Sequence, residues 1–356
     1  MINERDNMMM RRALQLARKG RGFVSPNPMV GAVIVGADGI VIGEGRHRLY
    51  GCAHAEVNAV NSVADRSLLR GSTIFVTLEP CSHYGKTPPC ALLLRECGFE
   101  RVVIGSVDPN PRVAGRGIAL LREAGITVDV GALEGECCAL NRAFFHAHTT
   151  RRAWSVLKWA QSFNGVMAAQ EGSPRLKLSS PLSTVMMHRE RAAVDAIMVG
   201  AATVRADNPS LTVRHAECRR QPLRVVVASS PASLPPRSAL LADGAPTVVL
   251  NGLLDDVRGE VEWVKTDLAD PFCWLELLFQ RYACISVMVE GGISLLSQFI
   301  KTSAWNEARV ETVPWSAVGR GAPEIYGSKT SQIVLHDNTV IETVLNNEVA
   351  ENAKKV

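Results

Sequence analysis

The sequence predicts an α/β protein of two domains, each a sheet flanked by helices. Three observations carry the prediction. Short apolar runs of strand length alternate with helix-period stretches along most of the chain. Glycines close several of the helical stretches, as at Gly98 and Gly125. The pattern then breaks once, in a polar and basic cluster between Asn141 and Arg152, and 356 residues exceed what one core usually serves.

The elements follow in order. Met1–Gly20 mixes Glu4, Arg5, Asp6, Arg11, Arg12, Arg18 and Lys19 among apolar residues. It reads as an amphipathic helix, without the uninterrupted apolar segment or cleavage site of a secretory signal. Val30–Val35 is a buried strand, and Ile40–Glu44 follows across the turn Ala37-Asp38-Gly39 as a hairpin. His54–Ala64 has helical spacing in Ala55, Val57, Ala59, Val60 and Val63. Thr73–Leu78 and Arg101–Gly105 are strands, with the helix Cys90–Cys97 between them; the helix Gly117–Ala124 and the strand Ile126–Val130 complete the first domain. The domains are expected at residues 1–148 and 149–345. In the second, Trp154–Trp159, Ala196–Gly200, Leu223–Ala228, Thr247–Leu250 and Ile285–Glu290 read as strands. Ser183–Val194, Pro271–Tyr282 and Ser294–Lys301 read as helices, and from Ile341 the chain reads as a loosely held polar end.

Composition narrows the function. No run of eighteen apolar residues occurs, so no membrane span is expected. The net charge of +4 is mild, and the pairs Arg219–Arg220 and Lys354–Lys355 are too short for a nucleic-acid stripe. Neither nucleic acid nor membrane is an expected partner, whereas a slight positive bias suits small phosphorylated molecules. Nine cysteines, an odd number without framework spacing, point to a reducing compartment and a cytoplasmic protein.

Three pieces carry chemistry: His54-Ala55-Glu56, Pro80-Cys81 and Pro88-Pro89-Cys90. Two thiolates and an imidazole suit zinc and leave its fourth tetrahedral position open to water, whose pKa zinc lowers to about 7. Glu56, two residues beyond the histidine at a helix start, is placed to move protons between that water and a leaving amine. This is the histidine–glutamate and proline–cysteine pattern of zinc deaminases. Helices starting at His54 and Cys90 would direct their positive ends at the metal. A closed structural site would need a fourth ligand; Cys52, His47 and His83 lie nearby, but none falls in register. Zinc deaminases usually have two residues between the cysteines, whereas here Ser82 to Pro89 intervene. The longer loop is expected to bring His83 and Lys86 to the mouth of the pocket.

Pro26-Asn27-Pro28-Met29-Val30-Gly31, His54-Ala55-Glu56, the run from Leu78 to Cys90, and Asp108-Pro109-Asn110-Pro111 together resemble the bifunctional riboflavin-biosynthesis deaminase–reductases. The resemblance covers nearly the whole N-terminal half. It implies a cytidine-deaminase-like three-layer domain that hydrolyses the 2-amino group of 2,5-diamino-6-(5-phosphoribosylamino)pyrimidin-4-one and releases ammonia. It also implies substrate contacts from Asn27, His47, Lys86, Asp108 and Asn110. Read alone, Asn27 between two prolines has an extended backbone and an amide that both donates and accepts.

In the second half, Leu157-Lys158-Trp159-Ala160, Ser162-Phe163-Asn164-Gly165, the run from Thr203 to Arg214, and Val289-Glu290-Gly291-Gly292 resemble the same family's reductase domain. That implies a dihydrofolate-reductase-like α/β fold using NADPH to reduce the ribosyl chain to ribityl. The resemblance implies substrate contacts from Arg191, Leu211, Arg214 and Glu290, and cofactor contacts from Ala160, Thr203, Asp207, Ser229, Gly291 and Gly292. No complete G-x-G-x-x-G follows a strand, so a Rossmann site is not expected. The two glycines after Glu290 lead into a helix over Ile293–Phe299, where backbone N–H groups can approach phosphate. A homo-oligomer is expected. The family commonly has other residues at Asn164, Val166, Lys177, Ala228 and Asn306, and the lost charges are read as falling on the cofactor or substrate side. An alternative is therefore a deaminase whose second half serves structure or oligomerisation. A nucleic-acid base deaminase, the third reading, would need the short cysteine spacing and a basic groove.

Overall fold

The computed structural model describes residues 2–353 except 85–87, 111–112 and 171. The chain forms two compact units that divide after Thr150.

The first unit opens with α1 (Glu4–Arg18). Its cap is reciprocal: Asn3 Oδ1 accepts from the Asp6 N–H and Asp6 Oδ2 from the Asn3 N–H. The helix buries Met10, Ala13, Leu14 and Ala17. Gly31 opens β1 (Gly31–Val35) against it, where a Cβ would stand 2.0 Å from the Ala13 carbonyl oxygen. Next come β2 (Val41–Arg46), α2 (Ala55–Ser62), β3 (Thr73–Leu78), α3 (Cys90–Cys97), β4 (Arg101–Ser106), α4 (Arg116–Glu123), β5 (Thr127–Val130), α5 (Glu134–Leu140) and α6 (Arg142–Thr150). The five-stranded sheet has the order β2-β1-β3-β4-β5.

Alternation along these strands builds three layers. Ala32, Ile34, Ile74, Val76, Val102 and Ile104 pack under α2, α3 and α4, while Val33, Val35, Phe75 and Val103 face α1 and α5. Because β1 is antiparallel to both β2 and β3, and β3 is parallel to β4, the strands β2, β3 and β4 all run one way. Their C-terminal ends therefore release His47, Cys81 and Asp108 at one edge of the sheet, the usual place for a ligand crevice in open α/β folds.

The second unit contains β6 (Trp154–Ser162), β7 (Val166–Ala168), α7 (Pro181–Arg191), β8 (Ala196–Gly200), α8 (Ala201–Asp207), β9 (Leu223–Val227), α9 (Ala239–Ala242), β10 (Thr247–Asn251), β11 (Asp256–Arg258) and β12 (Val261–Lys265). Then follow α10 (Pro271–Tyr282), β13 (Ser286–Gly291), α11 (Ile293–Lys301), β14 (Glu307–Val313), β15 (Arg320–Gly321), β16 (Ser328–Val334), β17 (Val340–Leu345) and α12 (Asn347–Ala353). A ten-stranded sheet runs β11-β12-β10-β9-β8-β13-β6-β14-β17-β16. It is parallel from β12 to β14, and β11, β17 and β16 are antiparallel to their neighbours. Trp274 of α10 and Phe299 of α11 are fully buried against it, with ring centroids 5.9 Å apart.

Three expectations are corrected here. From Ile341 to Leu345 the chain is not loose: β17 pairs with β14 and β16, and polar residues survive there because one sheet face is only partly covered. The polar cluster after Asn141 is mostly α6, whose buried Phe144 and Ala147 give it an inner face. Asn306 lies at the N-terminal end of β14, where its Oδ1 accepts from the Ser155 N–H and Oγ–H. That is the end of the parallel strands opposite Glu290 and the two glycines, so the residue closes a buried hydrogen-bond network away from them.

Candidate functional site

In the first unit, His54 is the N-cap of α2 and Glu56 lies in that helix's first turn, 3% exposed. Cys81 follows the end of β3, and Cys90 is the first residue of α3. The Cys90 N–H donates to Cys81 Sγ at 3.3 Å, an anion-stabilising contact at a helix start. His54 Nδ1 stands 3.6 Å from Cys81 Sγ and 3.4 Å from Cys90 Sγ. All three ligand atoms fall within 4.8 Å of one another. Tetrahedral zinc with ordinary Zn–S and Zn–N bonds separates such donors by about 3.5 Å. Donor chemistry and spacing both fit zinc, and no fourth histidine, cysteine or carboxylate joins the group among the described residues.

The surroundings tune the groups. Burial, then the charge of Cys81, pushes Glu56 up to about 7, while His54 draws it down. A hydrogen bond from Cys90 holds Cys81 down at about 4. His47 is buried and donates from Nδ1 to the Ala53 carbonyl oxygen at 3.1 Å. Its Nε2 thus accepts from Asn27 Nδ2 at 3.3 Å, and its ring meets that of His54 edge-on at 5.4 Å. Burial lowers the pKa of His47, in keeping with this neutral tautomer. Asp108 follows β4, and its Oδ1 accepts from the Asn110 N–H at 2.8 Å. Burial raises Asp108 to about 6, with the charges of Glu79 and Cys81 adding and His83 opposing. The structure thus brings Asn27, His47 and Asp108 to the ligand cluster. His83 is exposed, and Lys86 lies outside the described residues.

In the second unit, Glu290 ends β13 and Gly292 (φ +77°) caps α11 without a side-chain bond. A Cβ at Gly292 would stand 3.1 Å from Thr203 Oγ1, so Thr203, Gly291 and Gly292 meet at the C-terminal ends of β8 and β13. The bare turn before a nine-residue helix offers backbone N–H groups to an anion, which fits the phosphates of a dinucleotide. Ala160 is half-buried in β6, and Ser229 is exposed just beyond β9. Asp207 closes α8 and pairs with Arg175 at 3.2 Å.

Arg191 is held by Glu290 and the backbone. It donates from Nε to Glu290 Oε1 at 2.6 Å, from Nη2 to Glu290 Oε2, and from Nη1 to the Thr212 carbonyl oxygen at 3.3 Å. Asn208 (φ +41°) and Leu211 (φ +53°) are both left-handed, a strained conformation for a buried leucine. They turn the segment so that Ser210 and Thr212 both accept from Arg214 Nη1, at 2.6 and 3.2 Å. His188, fully buried, accepts at Nδ1 from the Arg214 N–H, and its Nε2 has no partner among the described residues. Neither His188 nor the buried pair of Lys158 with Glu311 was singled out by sequence reasoning. Lys158 was signalled within Leu157-Lys158-Trp159-Ala160; His188 left no signal.

Two family models match the chain: the cytidine and deoxycytidylate deaminase zinc-binding region over residues 3–106 and the RibD C-terminal domain over residues 153–344. The riboflavin biosynthesis protein RibD of Bacillus amyloliquefaciens is 40% identical over 91% of this chain and 88% of its own length. The chain belongs to the RibD family. The RibD of Chlamydia trachomatis is 36% identical over 97% of this chain and 94% of its own. Among solved structures, RibD of Acinetobacter baumannii superposes with a TM-score of 0.86 at 30% identity, covering 96% of this chain and 99% of that one. A diaminohydroxyphosphoribosylaminopyrimidine deaminase/5-amino-6-(5-phosphoribosylamino)uracil reductase from Thermotoga maritima gives 0.85 at 32% identity, with the same coverage. RibD proteins join a deaminase and a reductase in riboflavin biosynthesis, and this chain carries both domains, with zinc and NADPH as their cofactors. No helix among the described residues is long and apolar enough to cross a membrane.

Proposed function

We propose that residues 1–148 deaminate 2,5-diamino-6-(5-phosphoribosylamino)pyrimidin-4-one and that residues 149–345 reduce the ribosyl chain of the product. The observation that carries the first step is the spacing of His54 Nδ1 from the two sulfurs, 3.4 and 3.6 Å, beside a buried Glu56. His54, Cys81 and Cys90 would hold zinc, which supplies Lewis-acid activation of water at neutral pH. Glu56 takes a proton from the attacking water and returns it to the amino group that leaves as ammonia; a carboxyl raised to about 7 suits both transfers. His47 fixes the Asn27 amide nitrogen, which turns the Asn27 carbonyl oxygen towards substrate donors. Asp108, Asn110 and Lys86 complete the substrate contacts of this reading.

In the second unit the Gly291–Gly292 turn with Thr203 would hold the phosphates of NADPH, which when bound would supply the hydride, and Ala160, Asp207 and Ser229 are the other cofactor contacts of this reading. Arg191 orients Glu290 towards the substrate, and Arg214 with Leu211 shapes the segment beside it. The protein works in the cytoplasm as a homo-oligomer in this reading. The exposed β16, with Ile333 and Val334 open to solvent at the sheet edge, supports self-association. The experiment supplies the diaminopyrimidine nucleotide with NADPH and follows ammonia and nicotinamide absorbance together. Ammonia without NADPH consumption would overturn the reductase reading, and neither signal would overturn both.

A further inference from the structure

Glu79 stands just past β3, two residues before Cys81, and is 4% exposed. Its carboxylate meets backbone N–H groups. Oε2 accepts from Asp108 at 3.3 Å and Gly115 at 3.0 Å; Oε1 accepts from Gly117 at 2.9 Å and Ile118 at 3.3 Å. The last three open α4, whose N-cap Gly115 (φ +76°) has no side chain to satisfy them. Glu79 therefore caps α4 from another element, its charge set against the positive end of the helix. The contact is tight: a Cβ at Gly117 would stand 2.1 Å from the Pro80 carbonyl oxygen. Through the Asp108 N–H the same carboxylate reaches the turn in which Asp108 Oδ1 accepts from Asn110, and the Asn110 carbonyl oxygen accepts from Val113 and Ala114.

We infer that Glu79 is a positioning residue of the deaminase site, fixing the Asp108–Asn110 turn at a set distance from Cys81. One carboxylate joins the strand end that carries a metal ligand to the turn that carries two substrate residues. The inference rests on the reading of Asp108 as a substrate contact. An apolar side chain at position 79 would strand the buried N–H groups of Gly117 and Ile118 and remove the partner of those of Asp108 and Gly115. A glutamine offers one acceptor oxygen and turns its own N–H groups towards two of them.

The test uses the full chain with Glu79→Gln, Asp108→Ala and the double variant. Zinc content, steady-state ammonia release from the diaminopyrimidine nucleotide, and NADPH oxidation with the deaminated nucleotide are measured on each. E79Q should keep its zinc and its reductase rate while KM for deamination rises about tenfold, the scale of one lost charge-assisted hydrogen bond, with kcat little changed. Because Glu79 acts through the turn that holds Asp108, the KM rise of the double variant should fall well short of the product of the two single effects. Unchanged KM in E79Q beside a raised KM in D108A overturns the inference. So does loss of zinc in E79Q, or KM effects that multiply in the double variant. An unchanged KM in D108A overturns the substrate reading instead, and this inference with it. Should E79Q not fold, Glu79→Asp, which keeps the charge and shortens the reach, carries the same non-additivity test.

Discussion

Replacing Arg191 by alanine should destabilise the second unit while leaving the first intact. The two side chains of the Arg191–Glu290 pair are 9% and 10% exposed, so the carboxylate left behind would be buried and uncompensated. Removing one partner of a buried pair costs about 3–5 kcal/mol, far more than the pair's net worth against an apolar replacement. The loss of the bond to Thr212 adds to this, because Arg191 also holds the segment leading to Arg214. All six tryptophans, Trp154, Trp159, Trp263, Trp274, Trp305 and Trp315, belong to this unit, so selectively excited tryptophan fluorescence during urea unfolding reports on it alone. Glu290→Ala should cost a similar amount, and the double variant less than the sum of the two singles. A loss below about 1 kcal/mol for Arg191→Ala would mean that the pair behaves as a solvated surface bridge, and the argument from burial would fail.

Glu56→Gln should retain zinc and lose ammonia release by about two to four orders of magnitude, read by metal analysis beside a turnover assay. At Gly45 a Cβ would stand 2.2 Å from the Ala59 nitrogen and 2.3 Å from the Ala55 carbonyl oxygen, so Gly45→Ala must push α2 away. Since α2 carries Glu56, deamination should fall about a hundredfold while NADPH oxidation stays at the wild-type rate. His188 supplies a pH dependence. Burial, then the charges of Arg191, Arg214 and His215, lower it to about 4 despite Glu290. Its folded pKa lies below the unfolded value, so the unfolded chain binds the proton first. The stabilisation is complete above about pH 6.5 and is lost as pH falls towards about 4, by at most about 3 kcal/mol. Tryptophan-detected urea midpoints at pH 7.5 and pH 5 should differ, and His188→Gln should flatten the difference.

The metal ligands were legible because their chemistry does not depend on exact element boundaries. Histidine, glutamate and two proline-preceded cysteines keep their meaning if a helix starts one residue early, and α2 does begin at Ala55 with His54 as cap. The same holds for Gly98, whose φ of +74° ends α3 as expected of a residue without a Cβ. Strand β14 was not legible. Its sequence, Glu307 to Val313, alternates charge with apolar residues, yet Glu307 and Glu311 are buried. Arg309 answers Glu307 from the same strand, but Lys158 answers Glu311 from the neighbouring β6, and a pairing between distant segments leaves no periodicity to read. Asn306 failed in the other direction: a family difference was read as lost chemistry, when its side chain serves the start of β6. The role of Glu79 was hidden because its partners are backbone groups 29 to 39 residues away, which carry no residue identity.

Cys81 is 27 residues beyond His54 and Cys90 is 36 beyond it, and each is delivered by a different element around β3. A nascent chain cannot close the metal centre until α3 has left the ribosome and β3 has docked between β1 and β4. A zinc ion bound there would therefore tie α2, the end of β3 and α3 to one point. Stripping the metal should loosen all three elements together, which amide hydrogen exchange before and after chelation would read.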